Sequence, residues 1–362
     1  MKKVIAIVLA LVLVLGLAAC AAKTEAPKAE APKAEEPAKE ETPKAEEPAK
    51  EETPKEEAPA AQKSASDLTV AFMTHVENQW GTQVTQGATK AAKEKGVKLL
   101  VGNYNQDNAK MVELLDTYRA QNVDGILCGP SDQTIELLNN IAADGIAIGC
   151  YNLYLEGINS LVAVSYSQYD LGAACTETAL QLIEERLNGE PHVGIIGVAQ
   201  GSTISDDRDN GFFDGIKAKY PDATIENYNW TMTPEEGLRM ATDMLTANPD
   251  LNIIFGGCEA GVIGAVNAVR NLGLEGKVFV FGVDATEQMC NMLLDDDEVL
   301  WALGGQDATQ MAYFAMSKLI DRILGVDTDY EVGEFTAMEV PQLNRNNKDV
   351  VEAFIASLQE YK

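Results

Sequence analysis

The sequence predicts an α/β protein built as two Rossmann-like, doubly wound lobes, each a parallel sheet with helices on both faces. Three observations carry that expectation. From Asp67 onward one rhythm repeats, a run of about five apolar residues, a glycine or polar turn, then an amphipathic stretch of about fifteen. The apolar runs are continuous rather than alternating, as strands covered on both faces require. Ten such runs are too many for one tidy sheet of this kind and suit two sheets of about five or six.

In order along the chain, the expected strands are Leu68 to Thr74, Lys98 to Val101, Gly125 to Cys128, Ile146 to Cys150, Val162 to Ser165, Val193 to Val198, Ile225 to Tyr228, Ile253 to Gly256, Val278 to Val283 and Leu300 to Leu303. Helices fill the spaces between them. Gly81 to Lys95 sets Val84, Ala88, Ala91 and Ala92 on one stripe, Ala109 to Ala120 does so with Met111, Leu114, Leu115 and Tyr118, and Gly261 to Leu272 with Val262, Ala265, Val266 and Val269.

The segment before this rhythm is of another kind. Two lysines, an apolar run from Val4 to Leu17 and then Leu17-Ala18-Ala19-Cys20 are the parts of an export signal. The apolar run is shorter than the roughly 20 residues that span a bilayer, so residues 1–19 are expected to be cut off rather than kept. The tetrapeptide resembles the lipobox of bacterial lipoproteins. That resemblance implies a lipidated Cys20 and a protein outside the cytoplasm, anchored to the outer face of the cell membrane, or in the periplasm of a Gram-negative cell; several acyl chains on one residue suffice for anchoring. Ala21 to Ser66 is almost wholly Ala, Lys, Glu, Pro and Thr, and the eleven-residue unit Ala34 to Lys44 recurs unchanged at Ala45 to Lys55. Prolines forbid a continuous helix there and charges keep the chain solvated, so residues 20–66 read as a disordered tether.

A formal net charge of −28 repels phosphate backbones and anionic lipid heads, which excludes nucleic acid as a partner and leaves the lipid as the only membrane contact. Partners are expected to be neutral, cationic or proteinaceous. Beyond Cys20 the cysteines are Cys128, Cys150, Cys175, Cys258 and Cys290, an odd number without CxxC spacing, beside only two histidines. No zinc-type metal site and no cofactor are expected. Cys128 and Cys150 each close a short strand, which leaves open both a disulfide and two buried thiols.

Ligands of doubly wound sheets bind beyond the carboxyl ends of the strands, so the turns there are where a site is sought. These read Thr74-His75-Val76-Glu77-Asn78-Gln79-Trp80, Gly129-Pro130-Ser131-Asp132, Tyr151-Asn152, Gln200-Gly201-Ser202 running to Asp206-Asp207-Arg208-Asp209-Asn210-Gly211-Phe212, Gly282-Val283-Asp284, and Gly304-Gly305-Gln306-Asp307. The ordered set resembles the type I periplasmic sugar-binding proteins, the ribose- and galactose-binding group. Its further marks are Gly87-Ala88, Val123-Asp124-Gly125-Ile126, the Leu245 to Asp250 segment and Phe281-Gly282-Val283-Asp284, and together they cover Leu68 to about Val340.

The resemblance implies two lobes joined by three crossings, a monomer, a neutral sugar or sugar-like ligand in the cleft, and its delivery to an ABC permease. It places one lobe at 67–167 plus 307–336 and the other at 168–306 plus 337–362, with crossings near Gln168, Gln306 and Ala337. Aromatic planes for a sugar ring and planar polar groups for its hydroxyls give the expected ligand residues. Trp80 and Trp230 are the stacking candidates, with Met232 an alternative to Trp230. Arg208 offers parallel N–H donors and Asp284 accepts from hydroxyl pairs, while a salt bridge to Asp206 or Asp209 and an N-cap of the following helix are their structural alternatives. Asn78, Gln306 and Thr74 complete the set. Two positions depart from the group. Tyr151 and Asn152 stand where Asp-Arg is usual, and Cys258, followed by Glu259, where Asn or Asp is common. Tyr151 and Asn152 are expected to line the cleft and shift specificity, Cys258 is expected among the ligand residues, and the ligands left open include a deoxy sugar, a glycoside, a cyclitol and a small furanose.

No enzyme is expected. The chain has no Gly-x-Ser-x-Gly, no Gly-x-x-x-x-Gly-Lys-Ser/Thr and no Gly-x-Gly-x-x-Gly, and His75 and His192 sit in no nucleophile or metal pattern. An extracytoplasmic glycosidase is therefore the weaker alternative, and a LacI-type repressor would need a DNA-binding head where this chain has a signal and tether. A sensor that presents the same ligand to a chemoreceptor or sensor kinase shares the binding chemistry and is not separable by sequence.

Overall fold

The computed structural model describes residues 63–361; the export signal, Cys20 and the tether up to residue 62 lie outside the described residues. The strands are β1 (Thr69–Thr74), β2 (Lys98–Asn103), β3 (Gly125–Cys128), β4 (Ala147–Tyr151), β5 (Val162–Tyr166), β6 (Val193–Gly197), β7 (Ile225–Trp230), β8 (Ile253–Gly256), β9 (Phe279–Val283), β10 (Leu300–Gly304), β11 (Phe335–Met338) and β12 (Gln342–Asn344). The helices are α1 (Gln79–Lys95), α2 (Asn108–Ala120), α3 (Ile135–Ala143), α4 (Gln168–Ala173), α5 (Thr176–Arg186), α6 (Thr203–Lys219), α7 (Pro234–Ala247), α8 (Glu259–Leu272), α9 (Glu287–Leu294), α10 (Ala308–Ile323) and α11 (Lys348–Gln359).

They form two six-stranded sheets of matching order, β2-β1-β3-β4-β5-β11 and β7-β6-β8-β9-β10-β12. All pairings are parallel except that of β12 with β10. Side chains alternate across each strand, and both faces are covered. In the first sheet Val70 and Phe72 pack with Val84, Ala88 and Met311 on one face, while Ala71 and Met73 pack with Met111, Leu115 and Tyr118 on the other. In the second, Ile195, Phe255 and Phe281 meet Phe212 and Leu171, and on the opposite face Ile196, Ile254 and Val280 meet Met244, Val262 and Val266.

The chain crosses between the lobes after β5, after β10 and after β11. Ala337 and Met338 pair with Ser165 and Tyr166, so they belong to the first sheet and not, as expected, to the second. Strands β11 and β12 carry no apolar run: residues of β11 alternate between exposed and half-buried, and β12 is three residues long. Cys128 and Cys150 face each other in register across β3 and β4, yet both are free, as are Cys175, Cys258 and Cys290.

Candidate functional site

The carboxyl ends of the two sheets face one another, and between them lies a cavity of about 70 Å³. That volume holds roughly five waters, the scale of a small polyol rather than of a disaccharide or peptide. From the first lobe come His75, Val76, Asn78 and Trp80 in the turn after β1, and Asn152 after β4; from the second come Val198, Ile204 and Arg208 around the start of α6, Met232 after β7, Cys258, Glu259 and Ala260 at the start of α8, and Asp284 after β9. Gln306, at the crossing after β10, closes the ring.

Each polar group is held by local chain chemistry. The Asn78 side chain caps α1, accepting from Gly81 N at 2.9 Å, which fixes the turn that delivers Trp80. Trp80 is buried; its Nε1 donates to Gln306 Oε1 at 3.1 Å, and Gln306 Nε2 donates to Asn152 Oδ1 at 2.9 Å. Arg208 is buried at the cavity wall, donating from Nε to Gln168 Oε1 and from Nη1 to Gly257 O, both at 2.8 Å, with Asp284 Oδ1 3.7 Å away. Of its five N–H donors, those on Nη2 remain for a ligand. Asp284 Oδ2 accepts from Glu259 N at 2.7 Å. The expected alternatives are thus not the observed ones: Arg208 bridges neither Asp206 nor Asp209, and the helix after β9 is capped by Thr286 rather than Asp284.

Two cavity residues sit in the left-handed region, Asn152 at φ 66° and Asp284 at φ 82°. Asn and Asp tolerate it better than other side chains, though at an energetic cost, and such strain concentrates at functional sites. Burial sets the titration of the cavity. It pushes Glu259 up to about 7, helped by neighbouring Asp284, and raises Asp284 against the opposing pull of Arg208. It pushes Cys258 up to about 12, so a neutral thiol faces the cavity while its Sγ donates to Thr231 O at 3.3 Å. His75 is held down to about 4 by burial and by the Arg208 charge, and is a neutral imidazole 5.0 Å from the Trp80 ring.

Of the expected residues, Asn78, Trp80, Asn152, Arg208, Cys258, Asp284 and Gln306 line this one cavity. Three do not. Tyr151 is fully buried one layer beneath, its ring stacked 6.5 Å from Trp80 and its hydroxyl donated to Met73 O, because alternation along β4 turns it into the core. Trp230 packs on Tyr228 with centroids 4.7 Å apart, and Met232 takes the cavity position instead. Thr74 ends β1 buried, outside the cavity. His75, Val76, Glu259, Val198, Ile204 and Ala260 join the wall without having been among the expected ligand residues; Glu259 adjoins an expected position and would have been found by asking which charges a strand-end turn buries.

A family model described as a periplasmic binding protein domain matches residues 70–325. The chain belongs to the periplasmic binding protein family. It has that family's type I architecture, lies in a family whose setting is outside the cytoplasm, and is a binding protein rather than an enzyme. Among curated proteins it is 26% identical over 228 residues to the ABC transporter periplasmic-binding protein YphF of Escherichia coli K12, covering 61% of this chain and 69% of the relative. It is 31% identical over 152 residues to a D-ribose/D-allose-binding protein of Pseudomonas aeruginosa, covering 42% of this chain and 46% of that one, less than half the relative's length. Among solved structures, a 5-methylthioribose transporter solute binding protein from Thermotoga lettingae superposes with a TM-score of 0.71 at 20% identity, over 83% of this chain and 99% of its own. A solute binding protein from Actinobacillus succinogenes with bound D-allose gives 0.70 at 23%, over 79% and 100%. At these identities the structural likeness speaks for the fold alone.

Proposed function

We propose that this periplasmic binding protein captures a sugar or sugar-like small molecule between its lobes and delivers it to an ABC permease, working outside the cytoplasm from a lipid anchor at Cys20. The observation that carries this reading is the composition of the cavity wall: an aromatic plane, Trp80, and a thioether, Met232, beside converging amide, guanidinium and carboxylate groups contributed by both lobes. A ring with one apolar face and a rim of hydroxyls satisfies such a wall, and a flat hydrophobe or an anion does not. The sugars named for its relatives, D-ribose or D-allose and 5-methylthioribose, support the same class.

Capture works by closure. The Trp80 backbone N–H reaches Glu259 Oε2 at 3.5 Å, and Gln288 N donates to Gln79 Oε1 at 3.3 Å, so the start of α1 in the first lobe is bridged to the starts of α8 and α9 in the second. A ligand that touches both walls stabilises this form over one in which the lobes part, and a permease distinguishes the two. The test is thermal unfolding against a panel of sugars, cyclitols, glycosides and amino acids. A ligand at a hundred times its dissociation constant adds about 2.7 kcal/mol and raises the midpoint; the rise disappears in Arg208→Ala and Asp284→Ala. Turnover of a glycoside without any such rise would overturn the reading.

A further inference from the structure

The cavity holds a second carboxylate whose hydrogen bonding is nearly empty. Glu259 is 4% exposed, and the one hydrogen bond its carboxylate accepts among the described residues is the long one from Trp80 N at 3.5 Å. Its own backbone N–H is taken by Asp284. Asp284, 5% exposed, has Oδ1 buried with no hydrogen-bond partner, the Arg208 Nη1 atom lying 3.7 Å off. The charged or titratable groups that face this pair are Arg208 from α6, His75 from the turn after β1 and the Cys258 thiol from the start of α8. Arg208 is the one cation of the cavity wall, and it already serves Gln168, Gly257 O and Asp284.

Two buried carboxylates, with one guanidinium that lies beside Asp284, leave a negative charge without a partner in a site that closes away from water. Such a charge is neutralised either by a proton or by a counter-charge. Resting on the sugar-binding reading above, we propose that Glu259 and Asp284 together select a ligand carrying a protonated amine beside its hydroxyls, an amino sugar or amino-cyclitol, over the corresponding neutral sugar. An ammonium supplies three donors and no acceptor, which matches carboxylate oxygens that lack donors on both residues. Arg208 Nη2 remains for hydroxyl oxygens of the same ligand. The acidic chain, at −28, also raises the concentration of a cationic solute near its surface.

Proton linkage separates the two ways of neutralising the site. With a neutral sugar, Glu259 passes from the ordinary carboxylate range in a parted cleft to about 7 in the closed one, so closure takes up a proton. Affinity for the neutral sugar then falls as pH rises from 5 to 7, by up to tenfold per unit. With an amine the ammonium stands in for that proton, Glu259 stays ionised, and affinity holds level over the same window.

The experiment is calorimetric titration of the full-length protein with D-glucosamine, D-galactosamine and scyllo-inosamine, each beside its hydroxyl parent, D-glucose, D-galactose and scyllo-inositol, at pH 5, 6 and 7. The expected result is at least one amine bound tenfold or more tighter than its parent at pH 7 and level across the window. Glu259→Gln should weaken that amine more than tenfold, tighten the parent at pH 7 and level the parent's pH profile, because the variant has no proton to take up. Parents bound as tightly as their amines, or an amine preference that survives Glu259→Gln, would overturn the proposal and leave the sugar-binding reading standing. Binding by no amine of the series would overturn the proposal, and the thermal panel above then decides the sugar-binding reading separately. The pH profiles are also read on the unmodified protein, so the outcome does not hang on how the variant folds.

Discussion

Gly211→Ala sets two effects of known sign against each other. Gly211 lies in the interior of α6 where α4 crosses it, and a Cβ at this position would stand 2.0 Å from Tyr169 O and 3.0 Å from Ala173 N. Gly172 on α4 makes the reciprocal approach, its Cβ falling 1.9 Å from Arg208 O. In an isolated helix the change gains about 1 kcal/mol of propensity. In place, a contact that belongs near 3.5 Å is forced against backbone on a neighbouring helix, and backbone has no rotamer to escape into. Overpacking of this kind costs about 1 to 3 kcal/mol, and the absence of a yielding side chain puts Gly211 at or beyond the upper end. The net expectation is a loss of about 2 kcal/mol, a fall in midpoint of roughly 4 to 8 °C at the sensitivity of larger domains. Parting α4 from α6 also stretches the Arg208 Nε to Gln168 Oε1 bond of 2.8 Å, so ligand affinity drops with stability. Differential scanning calorimetry of the variant beside the parent protein decides it. A rise of about 2 to 4 °C, which propensity alone would give, would refute backbone contact between the two helices.

The other predictions test the cavity wall and its titration. Trp80→Phe keeps the aromatic plane but strands Gln306 Oε1 on closure, so affinity should weaken by about 1 to 3 kcal/mol, near five- to 150-fold; equal affinity by titration would refute the pairing. Met232→Ala should lower affinity several-fold while Trp230→Phe leaves it within twofold, and the reverse order would return the stacking role to Trp230. Tyr151→Phe removes the hydroxyl given to Met73 O, lowering stability by about 1 kcal/mol while the ligand profile stays as it was; a changed profile would bring Tyr151 back to the wall. His75 is depressed to about 4 from an ordinary 6.5, so it favours the folded state above its unfolded pKa and that support is lost as pH falls from about 6.5 toward 4. His75→Asn should therefore lose less stability than the parent across that window, measured as the midpoint difference between pH 7 and pH 4.5.

How much of this could be read from residues alone follows the physics of each feature. Buried parallel strands announce themselves as apolar runs, so Ile253–Gly256 and Gly125–Cys128 stand at the expected residues and the other runs within a few of them. Edge strands do not, because β11 and β12 are set by what they pair with rather than by their own composition. Strand-end turns indicated the neighbourhood of the cavity, since topology places every such turn at one end of its sheet. Which member of a turn points inward depends on local φ and on the pleat, as Tyr151 and Asn152 illustrate: the first continues the strand into the core, and the second, at φ 66°, swings to the cavity. Glu259 was hidden by an ordinary role, because an acidic residue opening a helix reads as a match to the helix dipole. Only its burial opposite the other lobe gives it a second meaning.

The order of the strands bears on how the protein comes into being. The first sheet is finished by β11 and the second by β12, and both follow every other strand described in the chain. Until Phe335 to Met338 can lie against Ala163 to Tyr166, and Gln342 to Asn344 against Ala302 to Gly304, each sheet is one strand short. Loop closure of that span makes folding slow. A chain of this topology therefore leaves both sheets incomplete until β11 and β12 are in reach, the condition in which a polypeptide can be threaded across a membrane before it acquires its shape.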